Sequence, residues 1–194
     1  MACRIILASQ SPRRRELLTQ VGLSFDIVVA DVDETVWENE RVDAYVQRVA
    51  TTKALTIAQH YPDALVIAAD TIVCIGDEIL GKPKDYQDAR RMWLQLSGQR
   101  HQVKTTVVVA HSNRLLHDTV STTVSFKDLS EAEMLQYWQT GEPQDKAGAY
   151  AIQGRAAAWV KHIEGSYSSV VGLPLYETLQ LIADAQSDVS QQNF

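Results

Sequence analysis

The stretch Leu65-Val-Ile-Ala-Ala-Asp-Thr-Ile-Val-Cys-Ile75 constrains the fold of this chain more than any other. Residues 65–69 form an apolar run of strand length, and 71–75 are rich in β-branched side chains, so both read as buried strand. Asp70 interrupts the run, and the strand is expected to break there. An ionised carboxylate in such surroundings is costly unless it is paired, hydrogen-bonded or bound to a metal. Asp70 is therefore the leading catalytic candidate. The plainer alternative is a carboxylate accepting backbone hydrogen bonds at a strand end.

A second constraint lies near the start. Residues 3–8 are an apolar run short enough for a buried strand, and Ser11-Pro12 reads as a helix start, with Ser as cap and Pro at the first helical position. The loop 9–11 then points at a helix N-terminus, where free N–H groups and the positive end of the dipole gather. Arg13, Arg14 and Arg15 add full charges in a turn that normally prefers acids. Ser9, Arg13 and Arg14 are accordingly candidate anion ligands. Taken alone, three arginines at a helix start fit a solvated face with salt bridges equally well.

The remaining chain supplies partners. Gly22 ends the first helix, and 25–30 reads as a strand running into the acidic segment Asp31-Val32-Asp33-Glu34-Thr35. A helix is expected over 42–60, with Val42, Tyr45, Val46, Val49, Ala50, Ile57 and Ala58 at helical apolar spacing. Lys53 falls on that stripe. Either it snorkels or it points inward at something negative. Gly76-Asp77 is a turn, and Lys82 is held between flexible Gly81 and rigid Pro83.

Asp85 caps a scaffold helix that ends at Gly98 and buries Trp93. Strands are expected over 103–110 and 120–126. Ser130 and Glu133 form a capping box for a helix ending near Gly141. The loop 142–154 is rich in small residues, which let a ligand approach the backbone, and carries Asp145, Lys146 and Gln153. A strand over 156–163, a loop over 165–174 and a C-terminal helix follow, with 186–194 expected to fray. His101, His111 and His117 have no partner pattern and read as surface or strand-end residues.

The chain has 194 residues, 45% hydrophobic, which suits a single α/β domain spanning 1–194 whose lobes sequence alone does not separate. A net charge of −6 argues against a broad basic face for nucleic acid or membrane, so any polyanion should meet a local cluster. Cys3 and Cys74 lie in apolar runs without metal-ligand spacing and are expected as buried free thiols. Residues 1–4 lead straight into the first strand, so no signal peptide is expected. No apolar run approaches the ~20 residues of a membrane span, and a cytoplasmic protein is expected.

Together, Ser9, Arg13, Arg14, Lys53 and Lys82 on the cationic side and Glu34 and Asp70 on the acidic side suit a metal–phosphate site. Cations and a helix N-terminus hold a polyphosphate. The carboxylates hold Mg²⁺ or Mn²⁺ and position or deprotonate water. Cations without carboxylates would only bind. The P-loop, the Gly-x-Ser-x-Gly elbow and His/Cys zinc spacings are all missing from the sequence, which disfavours those enzyme classes.

The run Leu7-Ala-Ser-Gln-Ser-Pro-Arg-Arg-Arg-Glu-Leu-Leu18 resembles the signature of the Maf family of nucleotide pyrophosphatases. The likeness continues through Glu34 in Val-Asp-Glu-Thr, Lys53 in Thr-Lys-Ala, Ala-Asp70-Thr71-Ile-Val, Gly-Lys82-Pro, Asp145-Lys-Ala-Gly-Ala-Tyr150, Ile152-Gln-Gly154, Gly165-Ser-Tyr167 and Val170-Val-Gly-Leu-Pro174. The resemblance implies hydrolysis of nucleoside triphosphates between the α- and β-phosphates, with Asp70 as proton acceptor. It also implies a mixed, elongated β-sheet flanked by helices, in two lobes with a central cleft, similar to inosine triphosphate pyrophosphatases.

Within the family, positions matching Arg13, Thr71 and Gln153 bear on base choice, and Thr71 with Ile-Gln-Gly resembles the branch acting on dTTP and UTP. A glutamine amide offers donor and acceptor to a pyrimidine edge. Ala151 stands where Gly is expected and Ser169 where Asn is common. The family likeness also suggests a homodimer. It leaves two other functions open: turnover of 7-methyl-GTP, and a non-catalytic, nucleotide-binding role in regulating septum formation.

Overall fold

The computed structural model describes residues 3–191. Seven strands form one mixed sheet flanked by helices, with strand order β2-β1-β3-β5-β6-β7 and β4 paired to β3 off that path. In chain order the elements are β1 (Ile5–Leu7), α1 (Pro12–Gln20), β2 (Asp26–Ile27), α2 (Val42–Ala58), β3 (Leu65–Ile75) and β4 (Glu78–Leu80). They continue with α3 (Tyr86–Leu96), β5 (Arg100–His111), β6 (Arg114–Phe126), α4 (Glu131–Trp138), β7 (Val160–Glu164), α5 (Tyr167–Val171) and α6 (Leu175–Gln191).

β3 does not break at Asp70. It runs through as one strand because β5 pairs with it antiparallel from Val66↔Ala110 to Cys74↔Gln102, so the backbone ladder continues whatever the side chain. The opposite edge behaves differently. β1 pairs in parallel only as far as Leu7↔Ile67, and β4 takes over only from Val73↔Leu80. Between these partners β3 has a ladder neighbour on one side alone, and Asp70 lies at the middle of the gap. The sheet splits there, and β1 runs out into the 9–11 loop beside the split.

Alternation along β3 sends successive side chains to opposite faces. Val66 and Ala68 pack with Ala50, Ala54 and Ile57 of α2, and Ile72 and Cys74 with Val46 and Val49. Leu65, Ile67 and Ala69 pack on the other face with Leu17, Leu18 and Ile182. A fourth apolar cluster joins Trp93, Phe126, Tyr137, Tyr150 and Trp159 around α3 and α4. Trp93 is core, as its helical spacing implies. The cleft lies between that aromatic cluster and the cores around α1 and α2.

Several boundaries differ from expectation. β2 spans two residues instead of 25–30. Residues 155–159 form a 3-10 turn before β7, and 142–149 carry two further short 3-10 turns. α6 continues through 186–191, and residues 192–194 lie outside those described. The Ser11 side chain makes no cap bond. His101 is not a surface residue: it is 2% exposed, with Nε2 bonded to the Tyr150 hydroxyl at 2.8 Å. Both described cysteines are free thiols, Cys74 buried and Cys3 half-buried. Among the described residues no helix is long and apolar enough to cross a membrane.

Candidate active site

A cleft of about 720 Å³ opens at the split in the sheet, and Ser9, Arg13, Arg14, Glu34, Lys53, Asp70, Thr71, Lys82 and Gln153 all line it. These residues come from separate elements, so the fold brings together everything that the sequence nominated. The convergence follows from the topology: β1 delivers the 9–14 segment to the gap in β3, and α2 lies over the Asp70 face.

Lys53 does not snorkel. It sits among the buried residues of α2, and its Nζ lies 2.7 Å from Asp70 Oδ1 and 2.6 Å from Glu34 Oε1. One ammonium thus joins two carboxylates. Burial is the largest influence on Asp70 and pushes its carboxyl above the usual aspartate range, although Lys53 and Arg14 pull the other way. Burial also acts to raise Glu34. There the Lys53 hydrogen bond and charge, helped by Lys82 and Arg14, prevail and hold the carboxyl below its ordinary value.

Arg14 is half-buried, and desolvation lowers its pKa. Its guanidinium donates from Nε to the Gly172 carbonyl at 2.8 Å, from Nη1 to Ser9 Oγ at 3.3 Å and from Nη2 to Thr71 Oγ1 at 3.2 Å. Arg14 therefore ties the N-terminal loop, β3 and the end of α5 together. Ser9 Oγ also accepts from the Ser11 N–H at 3.2 Å. Thr71 Oγ1 lies 2.9 Å from Thr105 Oγ1, and Thr105 donates to the Ser169 carbonyl at 2.8 Å. Gly172 holds φ at +131°, a conformation that favours glycine, and thereby presents its carbonyl to Arg14.

The far wall is the 145–153 segment. Gly148 (φ +66°) packs so tightly on Val73 that a Cβ there would lie 2.9 Å from the valine side chain. Trp93 Nε1 donates to the Ala149 carbonyl at 2.9 Å, and the His101 bond fixes Tyr150. Gln153 is exposed at the cleft edge. Asp145 and Lys146 line the cleft and pair with one another.

Sequence reasoning missed the supports of the Glu34 segment. The Tyr45 hydroxyl donates to the Glu34 carbonyl at 2.9 Å, while Arg48 grips Glu40 with Nε and Nη2 at 2.6 and 2.7 Å and also reaches the Thr35 carbonyl. Tyr45 had registered only as part of an apolar stripe. Nothing in local spacing signals the Arg48–Glu40 grip, which spans a loop.

Glu34 and Asp70 offer hard oxygen donors, and two carboxylates match the habit of Mg²⁺ to bind through one or two carboxylates plus substrate phosphates and water. No cluster of three or more His, Cys, Asp or Glu among the described residues is arranged to hold a metal by itself. The donor set therefore fits a cation that substrate phosphate completes.

The Ham1 protein of Staphylococcus aureus superposes with a TM-score of 0.55 at 12% identity, covering 94% of this chain and 99% of the other, so the fold is shared. A family model described as Maf-like protein matches residues 4–185, and the chain belongs to the Maf family. Curated relatives named dTTP/UTP pyrophosphatase include those of Acinetobacter baylyi, 53% identical over 91% of this chain and 96% of the relative, and Pseudoalteromonas atlantica, 51% identical over 92% and 95%. The relative from Vibrio parahaemolyticus, of the same name, is 49% identical over 93% and 96%.

Proposed function

We propose that this protein is a nucleoside triphosphate pyrophosphatase that converts dTTP and UTP, in the cytoplasm, to the nucleoside monophosphate and pyrophosphate. The observation that carries the reading is the Asp70–Lys53–Glu34 group at the gap in β3, facing a mouth lined by Ser9, Arg13, Arg14 and Lys82. The relatives' shared name supports the choice of substrate.

Arg13, Lys82 and the helix N-terminus of α1 bind the polyphosphate, with Arg14 holding Ser9 in place. Asp70, fixed at Oδ1 by Lys53, takes the proton of the attacking water on its other oxygen. The new bond joins the water oxygen to phosphorus as the α–β anhydride bond breaks, and pyrophosphate leaves. Burial makes Asp70 a stronger base than an exposed aspartate, which suits proton removal. Glu34 and Asp70 would hold a divalent cation together with the phosphates. When bound, that cation supplies charge neutralisation of the phosphate oxygens. Gln153 and Thr71 read the base.

The test is pyrophosphate release from dTTP, UTP, CTP, 7-methyl-GTP, GTP and ATP with Mg²⁺ or Mn²⁺, and with chelator. Turnover of dTTP and UTP that chelator abolishes is the expected result. A preference for 7-methyl-GTP overturns the base assignment, and turnover undiminished by chelator removes the cation. Gln153→Ala should reduce the preference for dTTP and UTP over the other nucleotides; an unaltered ranking contradicts its role.

A further inference from the structure

We infer that Tyr137 and Glu142 form a clamp that sets the position of Gln153 and so acts as a selectivity device at one remove from the base. The inference rests on the base-reading role of Gln153 proposed above. Both residues lie outside the reacting groups, and neither is needed for the chemistry.

The geometry is a closed circuit around a five-residue segment. The Tyr137 hydroxyl donates to Glu142 Oε1 at 2.6 Å and accepts from the Ala151 N–H at 3.0 Å. The Glu142 carboxylate accepts from the Arg155 N–H at 3.1 and 3.2 Å. Ala151 and Arg155 bracket Ile152-Gln153-Gly154, so both ends of the segment that carries Gln153 are held by one side-chain pair. Within it, the Gly154 N–H closes a tight turn on the Ala151 carbonyl at 3.1 Å.

The pair is itself well fixed. The Tyr137 ring is 3% exposed and packs at 4.7 Å from Trp159 and 5.7 Å from Trp93, in ring-centroid distance. Burial, joined by the neighbouring carboxylate, pushes the phenol well above its ordinary pKa, so the hydroxyl keeps the proton it donates. Gly154 belongs to the same device: a Cβ there would lie 2.0 Å from Glu142 Oε1 and must displace that carboxylate. The absent side chain leaves the space in which the clamp crosses over Gly154.

Tyr137 and Glu142 are positioning residues, and the test reads selectivity instead of rate alone. Tyr137→Phe keeps the ring and removes the hydroxyl; Glu142→Gln keeps the shape and weakens the bonds from Tyr137 and Arg155; Gly154→Ala evicts the carboxylate. Each should lower the dTTP:CTP ratio of kcat/KM by about fivefold to tenfold. The melting temperature should move little in Tyr137→Phe. In a Gln153→Ala background the same substitutions should change the ratio by less than about twofold, because residues acting through one another are not additive.

Full additivity with Gln153→Ala, or an unchanged ratio in all three variants, overturns the inference. Amide hydrogen exchange supplies a readout independent of turnover: Tyr137→Phe and Glu142→Gln should both speed exchange at Ala151 and Arg155, and unaltered protection overturns the clamp. Wild-type protein that turns over no triphosphate overturns the substrate reading instead, and the exchange result still decides the clamp.

Discussion

The two walls of the cleft are built by different means. The Asp70 wall rests on a long central strand paired to β5 along most of its length, with α2 packed over it, and its charged groups bond to one another. The Gln153 wall is a chain of short 3-10 turns with almost no ladder of its own. It is pinned at isolated points by side chains: Trp93 on Ala149, His101 on Tyr150, and Tyr137 with Glu142 on 151–155. A ladder tolerates little displacement, which suits groups that must be aligned on a scissile bond. Pinned turns can change one side chain at a time, which suits a surface that chooses among bases.

Substitutions can break that contrast or sharpen it. The largest effect is expected for Asp70→Asn, which keeps an acceptor for Lys53 but cannot take a proton. Turnover should fall by about 10³-fold or more while dTTP affinity measured by calorimetry stays within a few-fold, in line with the loss of a general base. Equal loss of binding and turnover would mean that Asp70 serves only to build the wall.

Lys53→Met tests the same wall as structure. It leaves two carboxylates facing each other, one of them buried, and removing one partner from a buried pair costs about 3–5 kcal/mol, readable by urea unfolding. A much smaller loss would show that the Asp70 wall is no more rigid than its counterpart.

The Gln153 wall has a pH signature of its own. Burial pushes the His101 imidazole down to about 4, from an ordinary value near 6.5. The folded protein therefore holds His101 neutral where the unfolded chain binds a proton, so stability rises as pH increases from about 4 to 6.5 and is lost as pH falls through that window. The full effect is about 3 kcal/mol, and His101→Phe should flatten it. A slope that persists in the variant would assign it to other groups.

Arg14→Lys should have the smallest effect of the four and the most uniform. A single ammonium cannot reproduce the fork that reaches Ser9, Thr71 and Gly172, and a loss of about tenfold in kcat/KM is expected for dTTP and UTP alike. Unequal losses would place Arg14 with the base-reading wall.

The same contrast explains what the sequence made legible. Asp70 stood out because an ionised carboxylate in a β-branched run must be paired, hydrogen-bonded or metal-bound, and Lys53 because a cation on an apolar stripe either snorkels or faces a negative group. Both signals are local. The continuity of β3 through Asp70 was not legible, since it depends on the register of β5, thirty or more residues away. His101 does lie at a strand end, but its burial was not legible for a related reason: it comes from Phe126 and Tyr150 packing across it, not from its own neighbours in the chain. The pins on the Gln153 wall, Tyr137 and Glu142 above all, are single bonds between residues that look ordinary in sequence. Apart from the family resemblance, the Gln153 segment was visible only as small residues with a few polar ones.

The most direct test is to identify the products formed from dTTP by the wild-type protein and by Asp70→Asn in the presence of Mg²⁺. Stoichiometric dTMP and pyrophosphate from the wild type, with neither from a variant that still binds dTTP, is the predicted result. Formation of dTDP and inorganic phosphate, or dTMP formation undiminished in Asp70→Asn, would contradict it.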